Sequence, residues 1–361
     1  MSDADQTIAA RPRKGRGAVT NDTGRFEPQT YSAVDDGWPS DDDPPPLRTT
    51  LSIDSARSVI TYNTSPDIPF DRSINPYRGC EHGCIYCFAR PTHAYYGLSP
   101  GLDFESRLFS KPDVAEILEA ELRKPGYRPA TIALGTNTDP YQPIEREKHL
   151  TRAVLKVLSA YNHPVGIVTK SALVLRDIDI LGPMAARGLA AVTISVTTLD
   201  RRLARLMEPR APTPAKRLAA IEALSAAGIP TGVLAAPMIP ALNDMELEGI
   251  LEAASRAGAS GAGYVLLRLP LEIKDLFEDW LRSHFPDRAD HVMSLVRDTR
   301  NGKAYRAEWG RRMKGSGPYA DLLKQRFELA RRRFGLDRRH LDLDTARFQP
   351  PPRAGDQLSM F

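Results

Sequence analysis

From about residue 70 onward, short aliphatic runs alternate with longer stretches in which apolar positions recur every three or four residues. The short runs predict strands over 131–136, 165–170, 191–197, 231–238 and 263–268, with a further short strand at 73–77. They are too brief and too apolar for amphipathic helices, and they are rich in Val, Ile and Leu, as strands covered on both faces should be. The stretches between them read as helices. Val114, Ile117, Leu118 and Leu122 fall on one face, as do Leu150, Val154, Leu155 and Leu158. Met245, Ile250, Leu251 and Ala254 do the same before Gly258, a helix stop.

Strand–helix units at intervals of about 30 residues favour a parallel sheet with right-handed crossovers. Six of them suit an incomplete barrel better than an open doubly wound sheet. After Pro270 the pattern turns helical, over 271–284, 288–297 and 319–334. The expected organisation is therefore α/β: a disordered polar tail over 1–46, a partial barrel over 47–270, a helical extension over 271–340 and a flexible tail over 341–361. The first 46 residues are poor in aliphatics and end in three aspartates and three prolines. Such a segment buries too little apolar surface to offset its chain entropy. The last 21 residues contain Pro350, Pro351 and Pro352 and few aliphatics.

Charge adds one asymmetry. The formal net charge is +4, yet residues 286–361 carry ten acidic and seventeen basic side chains. A basic surplus of that kind suits a solvated surface or an anionic partner such as DNA. The N-terminus lacks the apolar core of a signal peptide and no stretch could span a bilayer, so a cytoplasmic protein without a membrane partner is expected.

The chain has three cysteines, all within eight residues: Gly79-Cys80-Glu81-His82-Gly83-Cys84-Ile85-Tyr86-Cys87. That excludes a disulfide framework and points to metal or redox chemistry. Three thiolates spaced Cys-x3-Cys-x2-Cys can converge on one inorganic centre, and with no fourth cysteine one coordination position stays open, as in catalytic sites. A zinc ion held with His82 or His93 as fourth ligand is the alternative, although the spacing is unlike common zinc motifs.

Cys80, Cys84 and Cys87, with Tyr86 before the third, resemble the signature of the radical S-adenosylmethionine (SAM) superfamily. The segments 75–80, 135–143 (Gly-Thr-Asn-Thr-Asp-Pro-Tyr-Gln-Pro) and 168–171 (Val-Thr-Lys-Ser) are similar to the branch containing spore photoproduct lyase, over about residues 70–270. The resemblance implies a partial (β/α)6 barrel of TIM type with a 4Fe–4S cluster on Cys80, Cys84 and Cys87. It further implies that SAM chelates the open iron, that one electron from a donor such as flavodoxin or ferredoxin cleaves it to a 5′-deoxyadenosyl radical, and that Thr138, Asp139, Lys170 and Ser195 contact it. Lys170 suits the SAM carboxylate, since a charge-assisted bond strengthens in a dry pocket. Tyr86 and Phe88 are expected around the cluster and the adenine, and Arg268, at the end of the last strand, is a candidate for an anion. Spore photoproduct lyase uses a further cysteine as hydrogen donor and a tyrosine after the third ligand. Thr136 and Phe88 stand there in this chain, so both elements of that relay are missing while the radical-generating half is intact.

The chain ends Gln357-Leu358-Ser359-Met360-Phe361. This is similar to the peptide by which bacterial repair proteins dock on the DNA sliding clamp: Leu358, Met360 and Phe361 would fill a groove and Gln357 would bond at its edge. Three functions fit these features: a radical SAM enzyme acting on DNA, one acting on a protein or small molecule, and a non-catalytic metal-binding interaction protein.

Overall fold

The computed structural model describes residues 12–27, 29–30, 47–338 and 342–352. Among these residues ten strands form: β1 (Thr50–Ile53), β2 (Ile60–Tyr62), β3 (Arg72–Ile74), β4 (Tyr77–Arg78), β5 (Arg107–Ser110), β6 (Ile132–Leu134), β7 (Val165–Thr169), β8 (Ala190–Ser195), β9 (Thr231–Met238) and β10 (Gly261–Leu266). Seven of them build one sheet in the order β10-β9-β8-β7-β6-β3-β2. The six from β3 to β10 are parallel and adjacent in strict chain order, with no reversal of direction across the sheet. A doubly wound sheet would need such a reversal. The order is that of a partial (β/α)6 barrel. The expected strand at 73–77 divides in two, because Pro76 breaks the ladder: β3 joins the barrel and β4 turns into a second sheet with β5 and β1.

The helices lie where the periodicity puts them. Leu118, Val154, Leu155, Leu158, Ile250 and Leu251 are fully buried against the sheet. Two α-helix starts among the described residues carry side-chain caps: Asp200 accepts from the amides of Arg202 (2.6 Å) and Leu203 (3.2 Å), and Thr213 precedes a first-turn proline. Met245 departs from the expected face; the helix proper begins at Leu247 and Met245 stands 70% exposed.

Both sheet edges are covered, as open edges must be. On one side β2 pairs antiparallel with β3. On the other, the Ala262 amide donates to Leu336 O, the Leu266 amide to Met313 O and the Arg338 amide to Ser260 O. The extension holds helices Ile273–His284, Ala289–Asp298 and Pro318–Arg333. The first two pack Phe277, Trp280, Leu281 and Val292 into a core shared with Cys84, Ile85 and Met207, so the extension buttresses the cysteine loop. The third lies on helix Leu247–Arg256, joined to it by the Arg326–Glu248 ion pair at 2.6 Å.

Two expected tails are partly incorporated. Residues 12–27 lie against the loop: Ala18 and Val19 are buried, and the Gly17 and Ala18 amides donate to the two carboxylate oxygens of Glu105 at 2.9 and 2.8 Å. A few buried amides and methyl groups anchor this segment although its composition is that of a linker. Residues 342–352 also pack down, with Phe348 against Tyr127, Tyr161 and His163. The clamp-like peptide lies outside the described residues.

Candidate cluster and cofactor site

The cysteine loop follows β4 and runs as turns. Its bends need two left-handed residues, and glycine fills both: Gly79 at φ +73° and Gly83 at φ +67°. A Cβ at Gly79 would stand 2.6 Å from Leu108, and one at Gly83 2.6 Å from Glu105, so close packing demands glycine as well. Arg90 fixes the loop from behind. Its fully buried guanidinium donates to Cys84 O (2.9 Å), Gly83 O (3.2 Å) and Gly101 O (2.8 Å) and pairs with Glu105 at 2.5 Å.

Cys80 and Cys84 are buried, Cys87 is half-buried, and none is paired in a disulfide. Burial pushes all three thiols up, Cys84 to about 12, so the metal-free loop holds protons that iron would displace. Among the described residues, no three His, Cys, Asp or Glu side chains could hold a metal ion. A cubane cluster spreads its thiolates over separate irons, so it asks for a wider arrangement than one ion's shell. Each histidine considered as a zinc ligand has one ring nitrogen beside a neighbour, His82 Nδ1 lying 3.3 Å from Asp139 Oδ2 and His93 Nε2 2.9 Å from Arg107 O, while His93 Nδ1 is buried without a hydrogen-bond partner. Three thiols on one loop, with Lys170 nearby and no fourth cysteine, fit a cluster with one open iron.

The other expected residues gather at the C-terminal strand ends. Asp139, after β6, accepts from Thr169 Oγ1 (2.6 Å), the Lys170 amide (2.8 Å) and the Tyr141 amide (2.9 Å). Burial raises its carboxyl, but the His82 ring and these donors outweigh that and hold it well below the usual carboxylate range. Asp139 thus ties β6, β7 and the cysteine loop together. Thr138 Oγ1 donates to Tyr77 O at 3.0 Å and Ser195 Oγ to Ala236 O at 3.4 Å. Lys170, at the end of β7, forms no ion pair among the described residues, and its ammonium lies 5.7 Å from the Tyr86 ring centre. Burial opposes its charge, yet Cys84 and Glu208 more than compensate and raise its pKa.

Sequence reasoning missed the network behind Tyr86. The Tyr86 hydroxyl donates to Glu208, which also accepts from Thr197 Oγ1 at 2.7 Å and pairs with buried Arg217. Arg217 donates in turn to Ser195 O at 3.1 Å, and Asn243 donates to Thr197 O at 2.7 Å and Pro237 O at 2.9 Å. One carboxylate thereby links the loop to β8 and β9. The only signal was Glu208 beside Pro209, where a helix ends. A cavity lined by Phe70, Asp71, Thr131 and Leu343 lies near the starts of β3 and β6, at the opposite end of the barrel, and contains none of these residues.

A profile of the radical SAM superfamily matches residues 74–254, half of the chain, and begins just ahead of the cysteine loop. The chain belongs to the radical SAM superfamily. It is a radical SAM enzyme, and members of that superfamily bind a 4Fe–4S cluster and SAM. An uncharacterised protein of Mycobacterium tuberculosis is 39% identical over 232 residues, 64% of this chain and 68% of its own length. Another, of Methanocaldococcus jannaschii, is 30% identical over 173 residues, 48% of this chain and 62% of its own. Among solved structures, a variant of spore photoproduct lyase superposes with a TM-score of 0.56, at 17% identity and over 79% of both chains. A second variant of that enzyme, solved with the dinucleoside spore photoproduct, superposes equally well at 16% identity. At that identity the likeness is one of fold, and it agrees with the radical SAM barrel derived from the strand order. Among the described residues no helix is long and apolar enough to cross a membrane.

Proposed function

We propose that this radical SAM enzyme abstracts a hydrogen atom from a nucleic-acid substrate, with Cys80, Cys84 and Cys87 as its cluster ligands and Lys170 as the partner of the SAM carboxylate. The observation that carries the proposal is the unpaired Lys170 ammonium beside a loop of three thiols at the barrel mouth. When bound, the cluster supplies the electron that cleaves the sulfonium of SAM to methionine and a 5′-deoxyadenosyl radical. The chain does the rest. Lys170 neutralises the carboxylate, Tyr86 and Ile85 keep water from the loop, and Asp139 and Glu208 hold it in register with β7 and β8. Thr138 and Ser195, each spending its hydroxyl hydrogen on a carbonyl, keep lone pairs for the SAM ammonium or ribose. A nucleic-acid substrate is supported by the fold shared with spore photoproduct lyase and by the basic C-terminal surplus, which would add salt-sensitive phosphate contacts.

The reaction differs from that of spore photoproduct lyase at its end. All three cysteines of the chain are needed as ligands, and the hydroxyl of Thr136 has too strong an O–H bond to return a hydrogen atom to a carbon radical. Gln357, Leu358, Met360 and Phe361 would bring the enzyme to DNA through the bacterial sliding clamp, which a peptide of residues 353–361 should compete for. The deciding experiment is anaerobic reconstitution with iron and sulfide, followed by dithionite and SAM, on the wild type and Cys84→Ala. Formation of 5′-deoxyadenosine by the wild type alone is expected. Bound zinc without that product would overturn the proposal.

A further inference from the structure

Two arginines beyond β10 are held without an acid. Arg268 follows the last strand; its Nε is buried without a partner, one Nη contacts Met313 Sδ at 3.4 Å, and the guanidinium lies 5.0 Å from the Phe88 ring centre. Phe88 directly follows the third cysteine. Arg300 is 1% exposed and donates to Leu266 O (3.4 Å), Leu267 O (2.7 Å) and Arg311 O (2.8 Å), while its own buried Nε has no partner. Neither forms an ion pair among the described residues. Arg300 bonds the carbonyls of Leu266 and Leu267, directly ahead of Arg268, so both cations belong to the same end of β10, and burial, then the charge of Arg268, push the Arg300 guanidinium down to about 10.

Buried charges without counter-ions are costly, and a chain normally pairs them, as this one does at Arg90–Glu105 and Arg217–Glu208. A half-buried Arg268 without an acid at the active end of the barrel, with the charge of Arg300 behind it, is organised for an anion that arrives from outside. SAM does not supply it. Its single carboxylate has Lys170 at the end of β7, and β10 lies three strand spacings further round, about 14 Å along the sheet.

We propose that Arg268, with the buried charge of Arg300 behind it, forms an anion site that holds a phosphate group of the substrate beside Phe88 and the cysteine loop. The Arg268 guanidinium offers a fork of N–H donors, which suits a tetrahedral oxyanion. Phe88, 42% exposed, gives a base attached to that phosphate a face to stack on. The site rests on the radical SAM function proposed above and adds a fixed point to it: the phosphate would set which carbon of the substrate faces the radical.

The test uses cluster-loaded protein with SAM and a fluorescein-labelled thymidine decamer, either with phosphodiester or with uncharged methylphosphonate linkages. The wild type should bind the phosphodiester decamer with an affinity that falls as salt rises. Arg268→Gln should weaken that binding about tenfold or more and flatten the salt dependence, and Arg268→Lys, which keeps the charge but loses the fork, should fall between. Both proteins should bind the methylphosphonate decamer equally weakly. Displacement by thymidine 5′-monophosphate at comparable concentration would uphold the anion site with a mononucleotide as its occupant. Equal affinity of Arg268→Gln and wild type for the phosphodiester decamer, or no discrimination between the decamers by the wild type, would overturn it. Formation of 5′-deoxyadenosine by the same wild-type preparation separates the two proposals, since its absence counts against the radical chemistry and not against the anion site.

Discussion

The Glu208 side chain is fully buried and serves three donors at once: Tyr86, Thr197 and Arg217. Removing it leaves Arg217 buried without a counter-charge, which typically costs about 3–5 kcal/mol. Glu208→Ala should therefore lower the unfolding free energy measured by urea denaturation by an amount in that range, while Glu208→Gln, which keeps an acceptor for Tyr86, should lose less. Lys170 predicts the opposite separation. Among the described residues its ammonium forms no hydrogen bond or ion pair and contacts only the Tyr86 ring, so Lys170→Met should leave the melting temperature close to wild type and weaken SAM binding about tenfold, measured by equilibrium dialysis. These two residues also mark what can be seen at this scale in a linear chain. Lys170 was visible because it ends an apolar run, and the cysteines because three thiols in eight residues have few other purposes. Glu208 was not, because its partners are brought to it by β8 and by a loop 122 residues away.

The strands from β6 to β10 were legible because each is covered on both faces and so reads as an unbroken apolar run. β1, β2 and β5 were not, since strands of three or four residues with exposed positions carry too little pattern to distinguish them from loop. The same limit hid the packing of residues 342–352. There one aromatic and a few backbone bonds do the anchoring: Phe348 sits 5.4 Å from both Tyr127 and His163 between ring centres, and the Asp344 and Gln349 amides donate to Gly188 O and Tyr161 O at 3.0 Å. Phe348→Ala should cost about 2 kcal/mol in chemical denaturation, in proportion to a partly buried ring. His163 beneath it is fully buried, with Nε2 2.8 Å from the Tyr127 hydroxyl, and burial pushes its pKa down to about 4. The unfolded chain therefore binds a proton between pH 6.5 and 4 that the folded chain does not. This contribution to stability is complete above pH 6.5, is lost as pH falls towards 4, and is constant below. Thermal unfolding followed across that interval should flatten in His163→Gln.

Across the whole molecule, the second core joins the extension, the helix Arg201–Met207, the cysteine loop and the N-terminal segment into one body. Helices of the extension were expected on the barrel, but that they would press Trp280 towards the cluster loop, with its indole N–H on Leu206 O at 3.2 Å, could not be read from a periodicity that has no address. Because the loop is part of this core, metal should be felt far from it. Chelating the iron from reconstituted protein should lower the melting temperature measured at Trp280 by fluorescence, and Cys84→Ala should show the lowered value from the outset.

The contact between Gly17, Ala18 and Glu105 has a bearing on how the protein is assembled in time. Its two halves are 88 residues apart, and the first emerges from the ribosome long before the second exists. The opening segment must wait, unattached, until the cysteine loop and Glu105 have folded, and only then can it close over the back of the loop. Until it does, Arg90 is the remaining partner of the Glu105 carboxylate among the described residues, so the loop gains its cover only after it has its own fold.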